Sequence, residues 1–180
     1  MSIANPIYDE TADDERIESG DEVMKLPKHG VVVTDTTRVV DVKSWCGACW
    51  FSTDGKVFAV GGDNKALLLF GVVSGGRIKS FRRSTSVRAS ALSLDGSTFC
   101  IGDETGLLTV HSVQKELAGC DLSADDPANA ARETDELWRK VHPGAVNSAH
   151  FIDADSLLAV SCVDGSVYVY NTKTGEAHAV

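Results

Sequence analysis

The chain has 180 residues, 43% of them hydrophobic, with 17 Lys or Arg against 26 Asp or Glu and a formal net charge of -9. Such a composition belongs to a folded chain, long enough for one core or for a serial array, and its acidity argues against unspecific binding to phosphate backbones. No run of 18 apolar residues occurs, so a membrane span is not expected.

Residues 1–28 form an acidic leader, with eight Asp or Glu in the first 25 positions. So few large apolar groups cannot repay the entropy of ordering, and a flexible tail is expected, with Ile3, Ile7 and Tyr8 as its only anchors for a partner. The leader has neither a basic start nor an apolar stretch of the kind that directs secretion. Five cysteines, an odd number, and the absence of an Asn-X-Ser/Thr acceptor point the same way. An intracellular, cytoplasmic location is expected, with the nucleus left open.

From residue 29 the chain turns to short β-rich runs. Val31–Thr34 and Arg38–Lys43 read as two strands joined through Asp35-Thr36-Thr37. Four strands follow, near 46–52, 56–61, 66–71 and 77–82. Three more lie near 87–93, 97–102 and 107–112, with a weak fourth edge near 113–117. Residues 118–141 interrupt the pattern. Asp126 and Pro127 suit a helix start, and a helix over 127–140 is expected to lie across a sheet edge or to present Trp138 to a partner. Residues 144–180 return to strands.

The strand sets repeat. Phe51, Leu92 and Phe151 each precede by 19 positions an aromatic or His residue, namely Phe70, His111 and Tyr170. Ten positions after them stand Gly61, Gly102 and Ser161. Asp54-Gly55, Asp95-Gly96 and Asp164-Gly165 are hairpin signals, because glycine tolerates the positive φ of such turns. The offsets of 41 and 59 residues match one propeller blade and one blade plus an insertion.

In this register the chain resembles a degenerate WD40-repeat β-propeller. His142, nine residues before Phe151, is followed by Ser161, Asp164 and Tyr170, each standing where the family has its His, Ser, Asp and Trp. The resemblance implies a buried His–Asp–Ser bridge in the final blade. Upstream the signature erodes, with Phe70-Gly71 and His111-Ser112 in place of Trp-Asp, and Asn64 and Thr105 in place of the turn Asp. The implied fold is all-β: a partial propeller of about three and a half antiparallel blades over 29–180, with an inserted helix within 118–141. The implied function is a noncatalytic scaffold that binds proteins or peptides, without a cofactor, and the remaining blades would come from the same or another chain.

Three groups of residues carry competing chemistry. Trp45-Cys46-Gly47-Ala48-Cys49 resembles a thioredoxin active site and supports an alternative redox or metal-binding reading. That reading requires a helix after the motif, where the sequence instead turns at Asp54-Gly55; Cys49 is expected in the core, and the second cysteine pair that a structural zinc site would want is missing. Arg77, Lys79, Arg82, Arg83 and Arg88 form the one basic concentration. They read as a solvated rim, as a docking stripe for an acidic peptide, or as an edge for nucleic acid or anionic lipid. Finally, Trp45, Arg88 and Asn147 stand near the starts of the inner strands, where one face of a propeller collects its loops. Trp45 and Arg88 rank first as partner-binding residues.

Overall fold

In the computed structural model, residues 40–120 and 135–178 are described, and all belong to one compact unit, Val40–Val180. The acidic leader and the strand expected at Val31–Thr34 lie outside the described residues. Of the strand expected at Arg38–Lys43, the described residues 40–43 are not in a strand.

Eleven strands form three antiparallel sheets among the described residues. The first sheet is a meander of β1 (Cys46–Phe51), β2 (Val57–Gly62), β3 (Ala66–Gly71) and β4 (Arg77–Arg82). The second joins β5 (Val87–Leu92), β6 (Thr98–Asp103), β7 (Leu107–Ser112) and β8 (Glu136–Val141). The third holds β9 (Val146–Ile152), β10 (Leu157–Cys162) and β11 (Val167–Asn171), and its fourth strand is reduced to a single bridge between Tyr170 and Ala177.

The turns explain the meanders. In the first sheet Asp54 accepts hydrogen bonds from Ser52 Oγ and Lys56 N, while Gly55 takes a φ of 68°. Ser93, Asp95 and Gly96 repeat the arrangement in the second sheet. The third sheet has no glycine there, and Asp153, Ala154 and Asp155 all adopt positive φ. Asp155 then accepts from the backbone N–H groups of Leu94 and Asp95, both at 2.9 Å, tying one turn to the next.

Alternation along the strands gives each sheet two faces, and the core lies in the seams between sheets rather than at one centre. One seam gathers Ala59, Leu67, Leu69 and Phe81 against Val87, Phe99 and Ile101. The other gathers Cys100, Leu108 and Val110 against Val146, Leu158, Val160 and Tyr170. The inner strands β1, β5 and β9 adjoin in that order.

Two expectations are corrected. The edge expected near 113–117 is a short helix, α1 (Val113–Leu117), with Ser112 as its N-cap. The expected helix 127–140 also fails where it can be followed: residues 127–134 lie outside the described part, and 136–140 belong to β8, paired with β7. Glu136, Trp138 and Lys140 face inward while Leu137, Arg139 and Val141 face outward, so the period is two. Good helix formers yield here because β7 offers a row of backbone donors and acceptors that a local propensity of a few tenths of a kcal/mol cannot outweigh. Among the described residues, no helix is long and apolar enough to cross a membrane.

Candidate functional site

At the start of β1 the indole of Trp45 is 56% exposed. Its carbonyl accepts a 3.1 Å hydrogen bond from Asp63 N and approaches Gly62 so closely that a Cβ there would lie 1.8 Å away. The residue before the strand is therefore pinned while its ring faces solvent. From the next sheet Arg88 places its guanidinium 5.6 Å from that ring and 2.6 Å from Oε1 of Glu104. The hydrogen bond to Glu104 chiefly, then its charge, raises the Arg88 pKa above its ordinary value. Of Trp45, Arg88 and Asn147, expected on one face, the first two are in contact. Asn147 is exposed on β9. Glu104 carried no sequence signal, since its pairing spans 16 residues and two strands.

The basic concentration is not a continuous stripe. Lys79 is 2% exposed, and its Nζ lies 2.5 Å from Oε2 of Glu116 on α1. Glu116 also accepts from Nδ1 of His111 at 3.0 Å and from the backbone N–H of Asp135 at 2.8 Å. His111 Nε2 in turn accepts from Thr109 Oγ1 at 2.8 Å, and Arg83 donates to the same hydroxyl. This order assigns the Nδ1–H tautomer to His111. Arg77 is half-buried and only Arg82 stands exposed at the end of β4. Lys79 is removed from the docking stripe and from any basic edge for nucleic acid or lipid, because its alternate position on β4 faces the seam with Phe81.

No described protein family matches the sequence, and no curated protein does. Solved structures do. A crystal structure of the RRP9 WD40 repeats superimposes with a TM-score of 0.63 over 78% of this chain and 39% of that one, at 17% identity. A structure of U3-55K gives the same TM-score and identity, over 78% of this chain and 40% of that one. The chain is a partial WD40-like β-propeller. It spans about two-fifths of the length of either structure, and at that identity the likeness concerns the path of the backbone.

Within the propeller, the motif residues of the third blade are regrouped. The buried His142 donates from Nδ1 to the carbonyl of Gly106 at 2.9 Å, and its Nε2 accepts from the Tyr170 hydroxyl at 2.9 Å. Asp164 accepts instead from Ser166 N at 2.9 Å and Tyr168 Oη at 3.2 Å. Ser161 sits in β10 opposite Ser148 and Val167. A His–Tyr contact thus replaces the implied His–Asp–Ser bridge, since a phenol at position 170 carries its own hydroxyl to the ring. Trp138 is not presented on a helix: its Nε1–H donates to the Thr172 carbonyl at 2.7 Å, and its ring packs 5.8 Å from Tyr170. It closes the seam between the second and third blades.

The Cys46–Cys49 motif is carried by the propeller's innermost strand, with no helix launched from it. Both thiols are free and exposed. Cys49 is corrected from the core to the surface, because Ala48 and Trp50 take the face toward the second blade. Partial loss of hydration first, and the neighbouring Cys49 second, raise the pKa of the exposed Cys46 thiol, which is opposite to what a reactive thiolate needs. Among the described residues, no group of three or more His, Cys, Asp or Glu is placed to hold a metal ion.

Proposed function

We propose that the chain is a noncatalytic interaction scaffold that takes a protein or peptide on the face bearing Trp45 and Arg88, within an assembly that also supplies further propeller blades. The observation that carries this reading is the exposed indole with a guanidinium held over it by Glu104. Aromatic and Arg side chains supply most hot spots, and a pair already ordered in the free protein loses little freedom on binding. The acidic neighbours Asp63 and Glu104 leave the site near neutrality, so the partner is expected to bring an apolar or aromatic anchor rather than a charge run. Arg82, exposed on the same chain, is a secondary contact. Free cysteines fit a reducing, intracellular setting, the cytoplasm first.

The test is binding of peptides selected from a display library against the wild-type chain. Trp45→Ala is expected to weaken the selected peptides at least about tenfold, the size of a modest hot spot. Unchanged affinity in both Trp45→Ala and Arg88→Ala would move the site elsewhere.

A further inference from the structure

The two seams inside the chain share one steric device. Gly61 and Gly102 stand next to last in the second strands, while Val87 and Val146 open the inner strands of the following blades. A Cβ added to Gly61 would lie 2.6 Å from Cγ1 of Val87, and one added to Gly102 would lie 2.3 Å from Cγ1 of Val146. Both valines are fully buried. In each seam, then, a valine fills the space that a missing side chain leaves.

At the two ends of the stack the seam faces persist without a described blade over them. The first blade turns Phe51, Phe58, Val60, Leu68 and Phe70 away from the second. Phe51 is 64% exposed, and the rings of Phe51, Phe58 and Phe70 follow one another at 5.8 and 5.1 Å. The corresponding positions in the second blade include Phe99, Ile101 and His111, and in the third Leu158, Val160 and Tyr170, all buried against a neighbour. Asp41, Val42 and Lys43 border the outer part of the first-blade face, across a groove of about 340 Å³ from Phe70 and Arg77. On the far side of the third blade Leu157, Ala159, Val167 and Val169 repeat the apolar positions of Val57, Ala59, Leu67 and Leu69, and Val167 is 68% exposed.

The steric device changes at these ends in a matched way. The valine position of the first blade is Cys46, and the glycine position of the third blade is Ser161. Relative to the internal seams, one side chain is smaller and its counterpart larger by a similar amount, so their summed volume is kept, which is the kind of exchange a packed interface tolerates. Two faces meeting unrelated partners have no reason to compensate each other.

We propose that the end faces meet between two copies of this chain, the third blade of one copy seated on the first blade of the other with Ser161 opposite Cys46. The proposal rests on reading the chain as an incomplete propeller. A head-to-tail contact made twice closes a ring of two. The three described blades of each copy make six in two copies, inside the usual range of about four to eight, and nine in three copies.

Ser161→Cys tests the seam directly. In the internal seams the added Cβ lies 3.1 Å from Val87 Cβ and 2.7 Å from Val146 Cβ, so relaxation by roughly 1 Å reaches disulfide distance. Treated with oxidised glutathione, which is reduced to two thiols for each disulfide formed, the variant of the 180-residue chain is expected to form a covalent dimer. Peptide mass mapping should join the introduced thiol to Cys46, and Cys46→Ser in the same background should abolish the bond. Sedimentation should give wild type the mass of two chains, and Phe51→Glu, a change at an exposed position, should halve it while peptide binding through Trp45 persists. A wild-type chain of single mass, with no cross-link in a Ser161→Cys variant that unfolds as cooperatively as wild type, overturns the two-copy seam. Because peptide binding is read separately, that result leaves the Trp45 face standing, and loss of peptide binding alone leaves the seam standing.

Discussion

Nζ of Lys79 on β4 lies 2.5 Å from Oε2 of Glu116 on α1, and the two side chains are 3% and 1% exposed. A charge pair this dry links the first blade to a helix that follows the third strand of the second. Its formation explains why α1 is held against the sheet despite being only five residues long. Burying two charges is tolerable when each is fully answered, and here the carboxylate also receives His111 Nδ1–H and Asp135 N–H.

Removing one partner should therefore be severe. Glu116→Ala leaves Lys79 buried without its counter-charge and is expected to lower the unfolding free energy by about 3–5 kcal/mol. Lys79→Met combined with Glu116→Gln removes both charges and should regain a large part of that loss. Urea denaturation of the three proteins checks the order.

The same site sets a pH dependence. Burial by itself would raise the Glu116 pKa, but hydrogen bonds from His111 and Lys79 outweigh it and hold the carboxyl below its ordinary value. A carboxylate whose folded pKa is depressed adds stability that is complete above the unfolded value of about 4.3 and disappears as pH falls through the folded one. The stability difference between wild type and Glu116→Gln should accordingly be constant near neutrality and shrink on acidification below about pH 4.5. A difference that grew towards acid would contradict the assignment.

Gly102 has no room for a side chain. Gly102→Ala places a methyl group 2.3 Å from Val146 Cγ1 and should cost about 1–3 kcal/mol through overpacking. Val146→Ala in the same chain should restore part of the loss, giving a favourable coupling in a double-mutant cycle of unfolding free energies.

Tyr170→Phe deletes the hydroxyl that faces Nε2 of the buried His142 and should cost about 1–3 kcal/mol. Ser161→Ala should stay within about 0.5 kcal/mol, as for a substitution outside any such contact. Thermal unfolding separates the two, and the reverse order would restore the family's bridge.

Cys100 is wholly buried, and desolvation pushes its thiol up to about 12. Pulse alkylation of the folded protein at pH 8 should leave Cys100 unmodified, with labelling appearing only as the chain unfolds in denaturant; peptide mass analysis resolves the site.

Much of the architecture was legible because it is local and repeated. Asp-Gly turns, a period of two and the repeat offsets located ten of the eleven described strands, since each signal resides in a few adjacent residues. The pairing of Trp45 with Arg88 was also within reach, as both precede or open inner strands. Strand β8 was not: residues 136–141 are good helix formers, and what makes them a strand is the free edge of β7, some 25 residues upstream.

A run of short antiparallel strands in blade-sized sets follows from local signals alone, because hairpin turns and alternation act over a handful of residues. Which polar residues are sealed into the seams and which stay open to water depends on how the blades pack. Lys79 and Arg82 lie three positions apart on one strand, yet one is sealed against Glu116 and the other is open to water. Burial of a charge depends on what the neighbouring blade places opposite it, and no spacing along the chain encodes that distance.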